Sequence, residues 1–286
     1  MRTSLTLALA AAVLAACSAP SASAGEVKIA WYGQSFFQIV TPKGTKIVLD
    51  PHNIEAYRIT PIKADLVLMS HMHNDHNQIE GVIENYKDKD FKSYNALKKT
   101  GPNNLVIDWN VMDEKFKDVH FYSIACYHDN NNGMTRGKNG IWVLEIDGLR
   151  IAHLGDLGHK LNKEQMKKLG KVDVLMIPVG GVYTLDGIKA FEVAQQIAPT
   201  RYIIPMHYGT LVFDDLLPLK WFTDEAKEND VKIETIKDRQ WLKIDTKSDA
   251  PKKASIAVLS YMGPGMNEVP IKKKDKDKDK DKEKDK

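Results

Sequence analysis

Cysteine is almost missing from this chain. Only Cys17 and Cys126 occur in 286 residues, and Cys17 falls in an N-terminal segment expected to be cleaved or lipidated. The mature protein then has no partner for an internal disulfide, so its core and any bound metal must stabilise it. A sustained excess of either charge is also lacking. The formal net charge is +3, yet the last fifteen residues, KKKDKDKDKDKEKDK, hold nine Lys against six Asp or Glu. Residues 272–286 thus carry the whole excess. The body is near neutral, which excludes the basic footprint of a nucleic-acid partner. The tail has nothing apolar to bury and is expected to be a disordered, solvated spacer.

Long hydrophobic runs are missing as well, apart from the leader. Arg2 precedes LTLALAAAVLAA, an apolar stretch of signal-peptide length that is too short to span a bilayer. Two cleavage sites compete within residues 1–24. Leu14-Ala15-Ala16-Cys17 resembles a bacterial lipobox and would leave Cys17 as a lipidated first residue. Ala22-Ser23-Ala24 offers ordinary cleavage before Gly25. The position of Cys17 at the end of the apolar stretch favours the lipobox. Either site predicts export to the bacterial periplasm or cell envelope, with membrane contact only through an anchor at Cys17.

From Gly25 onward the pattern is layered. EVKIAWY, SFFQIV and TKIVLD alternate as three short strands, and ADLVLMS (64–70) reads as a buried strand. Further strands are expected over 119–128, 140–148 and 150–156, with Asp147-Gly148 as a hairpin turn. Helices near 162–169, 186–197 and 214–228 then alternate with strands at 172–179, 201–206, 231–236 and 241–245. This order predicts an α/β domain over 25–249 with helices covering sheet faces. Residues 250–271 read as a C-terminal extension.

Chemistry gathers where strands end. Four apolar stretches run into His71, His128, Asp156 and His207, each at the edge where sites assemble in layered α/β proteins. The densest stretch is SHMHNDHN (70–77), with His71, His73, Asp75 and His76. His71 and His73 are two apart, so extended backbone points both imidazoles at one ion. Asp75 and His76 follow and face a second position. Imidazole and carboxylate suit Zn²⁺ best among the divalent ions, with Mn²⁺ or Fe²⁺ as the other occupants such a cage accepts.

WYGQSFFQI, VLDPH, HMHNDH, ACYH, IAHLGDLGH, LMIPVGG and IPMHYGT, in this order from about residue 27 to 245, resemble the metallo-β-lactamase superfamily. Within it the chain is similar to the ascorbate-6-phosphate lactonase-like, Zn-dependent hydrolase branch. The resemblance implies a four-layer αββα sandwich with two metal ions in its mouth. It implies His71, His73 and His128 as ligands of one ion, Asp75, His76 and His207 as ligands of the other, and Asp156 as the bridging carboxylate. Asp50 matches an aspartate that supports the cluster loop. His153 competes with His128 for the third histidine position; His128 is preferred because it ends its strand while His153 lies within one, and His159 can line the pocket. Many relatives carry Gly-His where this chain has Gly33-Gln34. His52 and His120 read as surface or supporting residues, Cys126 as a small buried hydrophobe, and Trp31 and Trp142 as core. Tyr183 and Tyr208 sit on loops that can meet substrate or pack at the rim.

The implied reaction is hydrolysis of a small-molecule lactone, ester or phosphodiester-like bond by a hydroxide shared between two metals, with Asp75 orienting it or relaying a proton. The alternatives are β-lactam hydrolysis and a non-catalytic, envelope-anchored metal-binding protein. An oxygen-reducing di-iron relative would carry an acidic residue where this chain has His73. Nothing in the sequence fixes the oligomeric state.

Overall fold

The computed structural model describes residues 25–237 and 240–262. The leader with its two cleavage sites, Cys17 and the Lys/Asp tail therefore lie outside the described residues. No helix among the described residues is long and apolar enough to cross a membrane.

Two sheets make the core. The first contains β1 (Glu26–Trp31), β2 (Phe37–Val40), β3 (Lys46–Leu49), β4 (Leu66–Met69) and β5 (Lys92–Asn95). A short hairpin, β6 (Leu97–Thr100) and β7 (Val106–Trp109), follows. The second sheet takes β8 (Asp113–Phe116), β9 (Val119–Tyr127), β10 (Lys138–Ile146), β11 (Leu149–His153), β12 (Val174–Pro178) and β13 (Tyr202–Met206). Helices α1 (Lys163–Leu169), α2 (Gly187–Ile197) and α3 (Lys220–Glu228) intervene, and β14 (Ile233–Ile236), β15 (Leu242–Asp245) and β16 (Ser255–Leu259) close the fold. The sheet orders are β15-β1-β2-β3-β4-β5 and β14-β16-β13-β12-β11-β10-β9-β8.

Period-two alternation explains the layering. Val27, Ile29 and Trp31 of β1, Ile47 and Leu49 of β3, and Leu66 and Leu68 of β4 join Phe121, Ile141 and Trp142 in one core. The intervening Ala30, Val48, Val67 and Met69 enter a second core on the other face, against Val82 and Ile83. That face is covered by turns within residues 54–91 rather than by a helical layer. All three α-helices of the described residues follow β11 in the chain, so the expected four layers are present with an irregular outer cover on one side.

The helix boundaries have local causes. Asn162 and Gln165 form a reciprocal capping box at α1, and the Asp186 side chain caps α2. The third helix starts at Lys220 rather than 214 because the preceding loop is pinned: Leu217 N–H donates to Gly180 O (2.7 Å) and Gly209 N–H to Leu217 O (2.9 Å). The expected strand over 150–156 stops at His153, where Gly155 takes φ +54°. A second difference concerns the C-terminal extension. Ser255–Leu259 pairs in parallel with β13 and β14, inside the second sheet, so the folded unit runs past residue 249. The strands β5 to β8 were not foreseen. They are short, mostly exposed and rich in Lys, Asn and Asp.

Candidate metal centre

Five chain segments deliver the cluster. Asp50 follows β3, Ser70 and His71 follow β4, His128 follows β9, Asp156 lies three residues beyond β11, and His207 follows β13. Parallel pairing of β3 with β4, of β11 with β12 and of β12 with β13 puts several of these ends on one edge. The 71–76 turn is closed by His76 N–H to His73 O (3.0 Å). Asn77 holds Met72 O (2.8 Å), and Asn95 holds His71 O (3.0 Å).

The side chains fall into two groups. His71, His73 and His128 form one; Asp75, His76, Asp156 and His207 form the other, with ligand atoms in each group within 4.8 Å of one another. One oxygen joins them. Asp156 Oδ2 lies 3.1 Å from His128 Nε2, 3.2 Å from His76 Nε2, 3.5 Å from His207 Nε2 and 3.9 Å from His71 Nε2. Asp75 Oδ2 is 3.5 Å from His76 Nε2 and 3.8 Å from His207 Nε2.

Asp50 lies fully buried beneath the cluster. Its Oδ1 accepts Ser70 N–H (2.6 Å), and its Oδ2 accepts the Ser70 hydroxyl (2.6 Å) and His76 Nδ1–H (2.8 Å). Because the hydroxyl donates to Asp50, its oxygen accepts His71 Nδ1–H (2.8 Å). One carboxylate thereby sets the tautomer of two imidazoles and turns both Nε2 lone pairs toward the centre. Asp50 takes φ +43° and His207 φ +50°, left-handed conformations that non-glycine residues adopt rarely and that collect at functional sites. His207 is held there by its N–H to Gln34 O (3.1 Å), and a Cβ on Gly180 would approach His207 O to 2.0 Å.

The electrostatics follow from burial opposed by pairing. Burial, aided by the neighbouring His76 charge, holds His71 well below the ordinary histidine value. Burial also works against charge on His76, but Asp156 and Asp50 outweigh it and raise that imidazole well above its ordinary value. Burial pushes the Asp156 carboxyl up, yet His207, His76 and His128 together hold it well below the usual carboxylate range. Burial pushes the Asp75 carboxyl up, yet the adjacent His207 and His76 imidazoles hold it low.

The donor set fits a cation. His76 Nε2, aimed at the shared Asp156 oxygen, is buried without a well-formed hydrogen-bond partner, a rare condition for such an atom. His71 Nε2 and His73 Nδ1 are 3.1 Å apart. Two nitrogens bound to one tetrahedral Zn²⁺ at about 2.1 Å sit about 3.4 Å apart, close to this separation.

The remaining candidates are placed elsewhere. His153 is fully buried, donating Nε2–H to Ser35 O (3.0 Å) and accepting Gly155 N–H at Nδ1 (3.2 Å), so both nitrogens face backbone and His128 stands in the cluster instead. His159 accepts Tyr127 N–H (3.0 Å) and donates to Lys160 O (2.8 Å); it borders a 440 Å³ cavity beside His128 but acts as a strut. Tyr183 lines the same cavity. Tyr208 is buried and stacked on Trp31 at 5.2 Å, bordering an apolar 580 Å³ cleft. His52 is not a surface residue: it is fully buried between Gly33 O and Ile54 N–H, and burial lowers its pKa to about 4. His120 lies at the surface between Asp113 and Glu145. Cys126 is packed beside Asn139, and burial pushes its thiol up to about 12. Trp31 and Trp142 are core.

Ser70 and Asn139 were missed in the sequence, and Gln34 was noted there only as a departure from the relatives. Asn139 is fully buried in β10; its Oδ1 accepts Asp156 N–H (3.2 Å) and its amide donates to Leu154 O (2.9 Å). The one signal was a polar residue inside an otherwise apolar strand.

Comparison with known proteins agrees with this geometry. Residues 28–207 match the model of the beta-lactamase superfamily domain. A UPF0173 metal-dependent hydrolase of Thermococcus onnurineus is 29% identical over 196 residues, covering 64% of this chain and 85% of its own length. One from Thermodesulfovibrio yellowstonii is 30% identical over 223 residues, covering 67% and 82%. Among solved structures, a Thermotoga maritima protein assigned to the Zn-dependent hydrolases of the metallo-beta-lactamase superfamily superposes with a TM-score of 0.59 at 29% identity, covering 82% of this chain and 98% of that one. A metallo hydrolase from Ignicoccus hospitalis shares the fold, with a TM-score of 0.54 at 19% identity over 78% of this chain and all of that one. With the clustered ligands and the two-sheet core, these matches show that the chain belongs to the β-lactamase superfamily and, within it, to the metal-dependent hydrolases.

Proposed function

We propose that the protein is a two-metal hydrolase in which His71, His73 and His128 hold one ion, Asp75, His76 and His207 hold the other, and Asp156 serves both. The observation that carries this reading is the single Asp156 oxygen, which lies within 3.5 Å of nitrogens from both groups. Zn²⁺ suits the donors best. A bound pair of such ions supplies Lewis acidity and an activated water at neutral pH.

The chain's own residues do the rest. Asp50 and Ser70 fix the proton positions on His71 and His76. Asp75 has a side chain 39% exposed while the neighbouring His76 is fully buried, so its carboxylate borders the solvent mouth. Held ionised, it accepts a hydrogen bond from the attacking water and orients it. The substrate class this supports is a small lactone, ester or phosphodiester-like molecule. By the leader sequence, the reaction belongs outside the cytoplasm.

The test is a panel of lactones, simple esters, phosphodiesters and β-lactams assayed with Zn²⁺ and with Mn²⁺. Turnover should require metal and be confined to one bond type, and His73→Ala should lose it while keeping a cooperative unfolding transition. Undiminished turnover by metal-free His73→Ala would refute the reading.

A further inference from the structure

Two cavities flank the cluster. One of 440 Å³ is bordered by His128, His159 and Tyr183; one of 250 Å³ is bordered by His71, His73 and Lys138. Among the described residues, Arg136 alone lines both.

Its loop is held in shape beforehand. The Asp129 carboxylate, next in sequence to His128, accepts four backbone N–H groups: Asn131 (2.8 Å) and Gly133 (2.8 Å) on Oδ1, Thr135 (3.0 Å) and Arg136 (2.7 Å) on Oδ2. The loop that begins at a metal-group histidine therefore ends by presenting Arg136 from a fixed backbone. The guanidinium is fixed in turn. Its Cζ stacks 4.6 Å from the Tyr183 ring centroid, and one Nη2–H donates to Val182 O (3.0 Å).

Charge pairing sets Arg136 apart. In the larger cavity Lys160 is paired with Glu192 at 2.7 Å and Lys189 with Asp186 at 2.9 Å. In the smaller one Lys138 is paired with Asp108 at 2.7 Å. Among the described residues, no carboxylate lies within salt-bridge distance of Arg136. A guanidinium has five N–H donors in a fork that matches an oxyanion, and the contact with Val182 O engages a single nitrogen. A strut tying two loops together would need neither the charge nor the remaining donors.

We infer that Arg136 is the specificity residue for a substrate bearing an oxyanion, a carboxylate or a phosphoryl group, placed beside the bond to be cleaved. This rests on the proposed hydrolase reading for the reaction, but the binding site can be tested without turnover. Arg136 fixes one end of the substrate on the rim while the cluster acts at the other, so binding energy away from the reacting atoms positions them.

The experiment titrates the metal-containing protein with benzoate, phenylphosphonate and the neutral benzamide, comparing wild type with Arg136→Gln and Arg136→Lys by calorimetry. Metal content and melting temperature are measured alongside. Anion binding to the metals themselves is common to all three proteins. For Arg136→Gln the Kd of at least one oxyanion should rise about tenfold or more, with benzamide unchanged. Arg136→Lys, which keeps the charge but loses the fork, should fall between. The oxyanion that loses more names the group recognised. Equal oxyanion affinity in wild type and Arg136→Gln, a parallel loss of benzamide, or no oxyanion binding by wild type would overturn the inference. Intact Arg136-dependent binding with a silent hydrolysis panel would instead count against the hydrolase reading alone.

Discussion

The floor and the rim of this centre are built by opposite means. On the floor, Asp50 is fully buried and both its oxygens are engaged, by Ser70 N–H, the Ser70 hydroxyl and His76 Nδ1–H. His153 beside it is also fully buried and spends both nitrogens on backbone. On the rim, His73 is exposed, Asp75 is partly so, and Arg136 reaches across two cavities. The contrast teaches where precision comes from. Buried polar groups must be satisfied, so the floor has one arrangement and imposes it on the lone pairs above. The rim stays in contact with water, where side chains can meet substrate and exchange protons.

The largest effect should come from the oxygen at which the two halves meet. Asp156→Ala removes the atom shared by both ligand groups. Turnover should fall by more than about a thousandfold, because in the proposed two-metal reading this carboxylate serves both ions, and the metal retained after dialysis should drop, as read by atomic emission. Next is the floor. In Asp50→Asn the amide NH2 must face either Ser70 N–H or the pair Ser70 Oγ–H and His76 Nδ1–H, all of which are already donors. Metal affinity should fall about 10–100-fold, measured by competition with a chelator. An unchanged affinity would mean that the floor does not orient the ligands.

The smallest effect should appear at His120, a surface version of the same imidazole–carboxylate pairing. Hydrogen bonds donated by its ring to the Asp113 and Glu145 carboxylates raise its pKa above the ordinary value. A histidine raised on folding adds stability below its unfolded value, near about pH 6.5, and loses it as pH rises through the folded value. The melting-temperature gap between wild type and His120→Gln should thus be widest below about pH 6.5 and close toward alkaline pH. It should also shrink with salt, as a solvent-exposed pair does.

Much of the rim and half of the floor could be read directly from the chain. The H-x-H-x-D-H cluster, His128, Asp156 and His207 each sit at the end of an apolar strand, and strand ends are visible in a period-two pattern. What escaped reading depends on contacts between distant segments. Gln34 holds His207 across 173 positions of chain, through a backbone oxygen that no side chain advertises. Asn139 matters because β10 happens to lie beside the Asp156 turn. Between His128 and His153 the chain favours His128, which ends its strand, and the fold supplies the contact that sequence does not show: Ser35 O and Gly155 N–H occupy the second imidazole. In the fold, β16 was hidden by Pro251 and its flanking lysines, and becomes a strand because β13 and β14 leave a parallel slot between them. The outer cover of the first sheet carries too few periodic apolar positions for a helix, and turns supply Val82 and Ile83 instead.

The most direct measurement is metal reconstitution. Protein stripped with a chelator is titrated with Zn²⁺, and the hydrolysis rate on its best substrate is followed against metal bound per chain. The account predicts no rate in the stripped protein and a rate that saturates at two equivalents in wild type. Saturation at one equivalent, or turnover in the stripped protein, would contradict it.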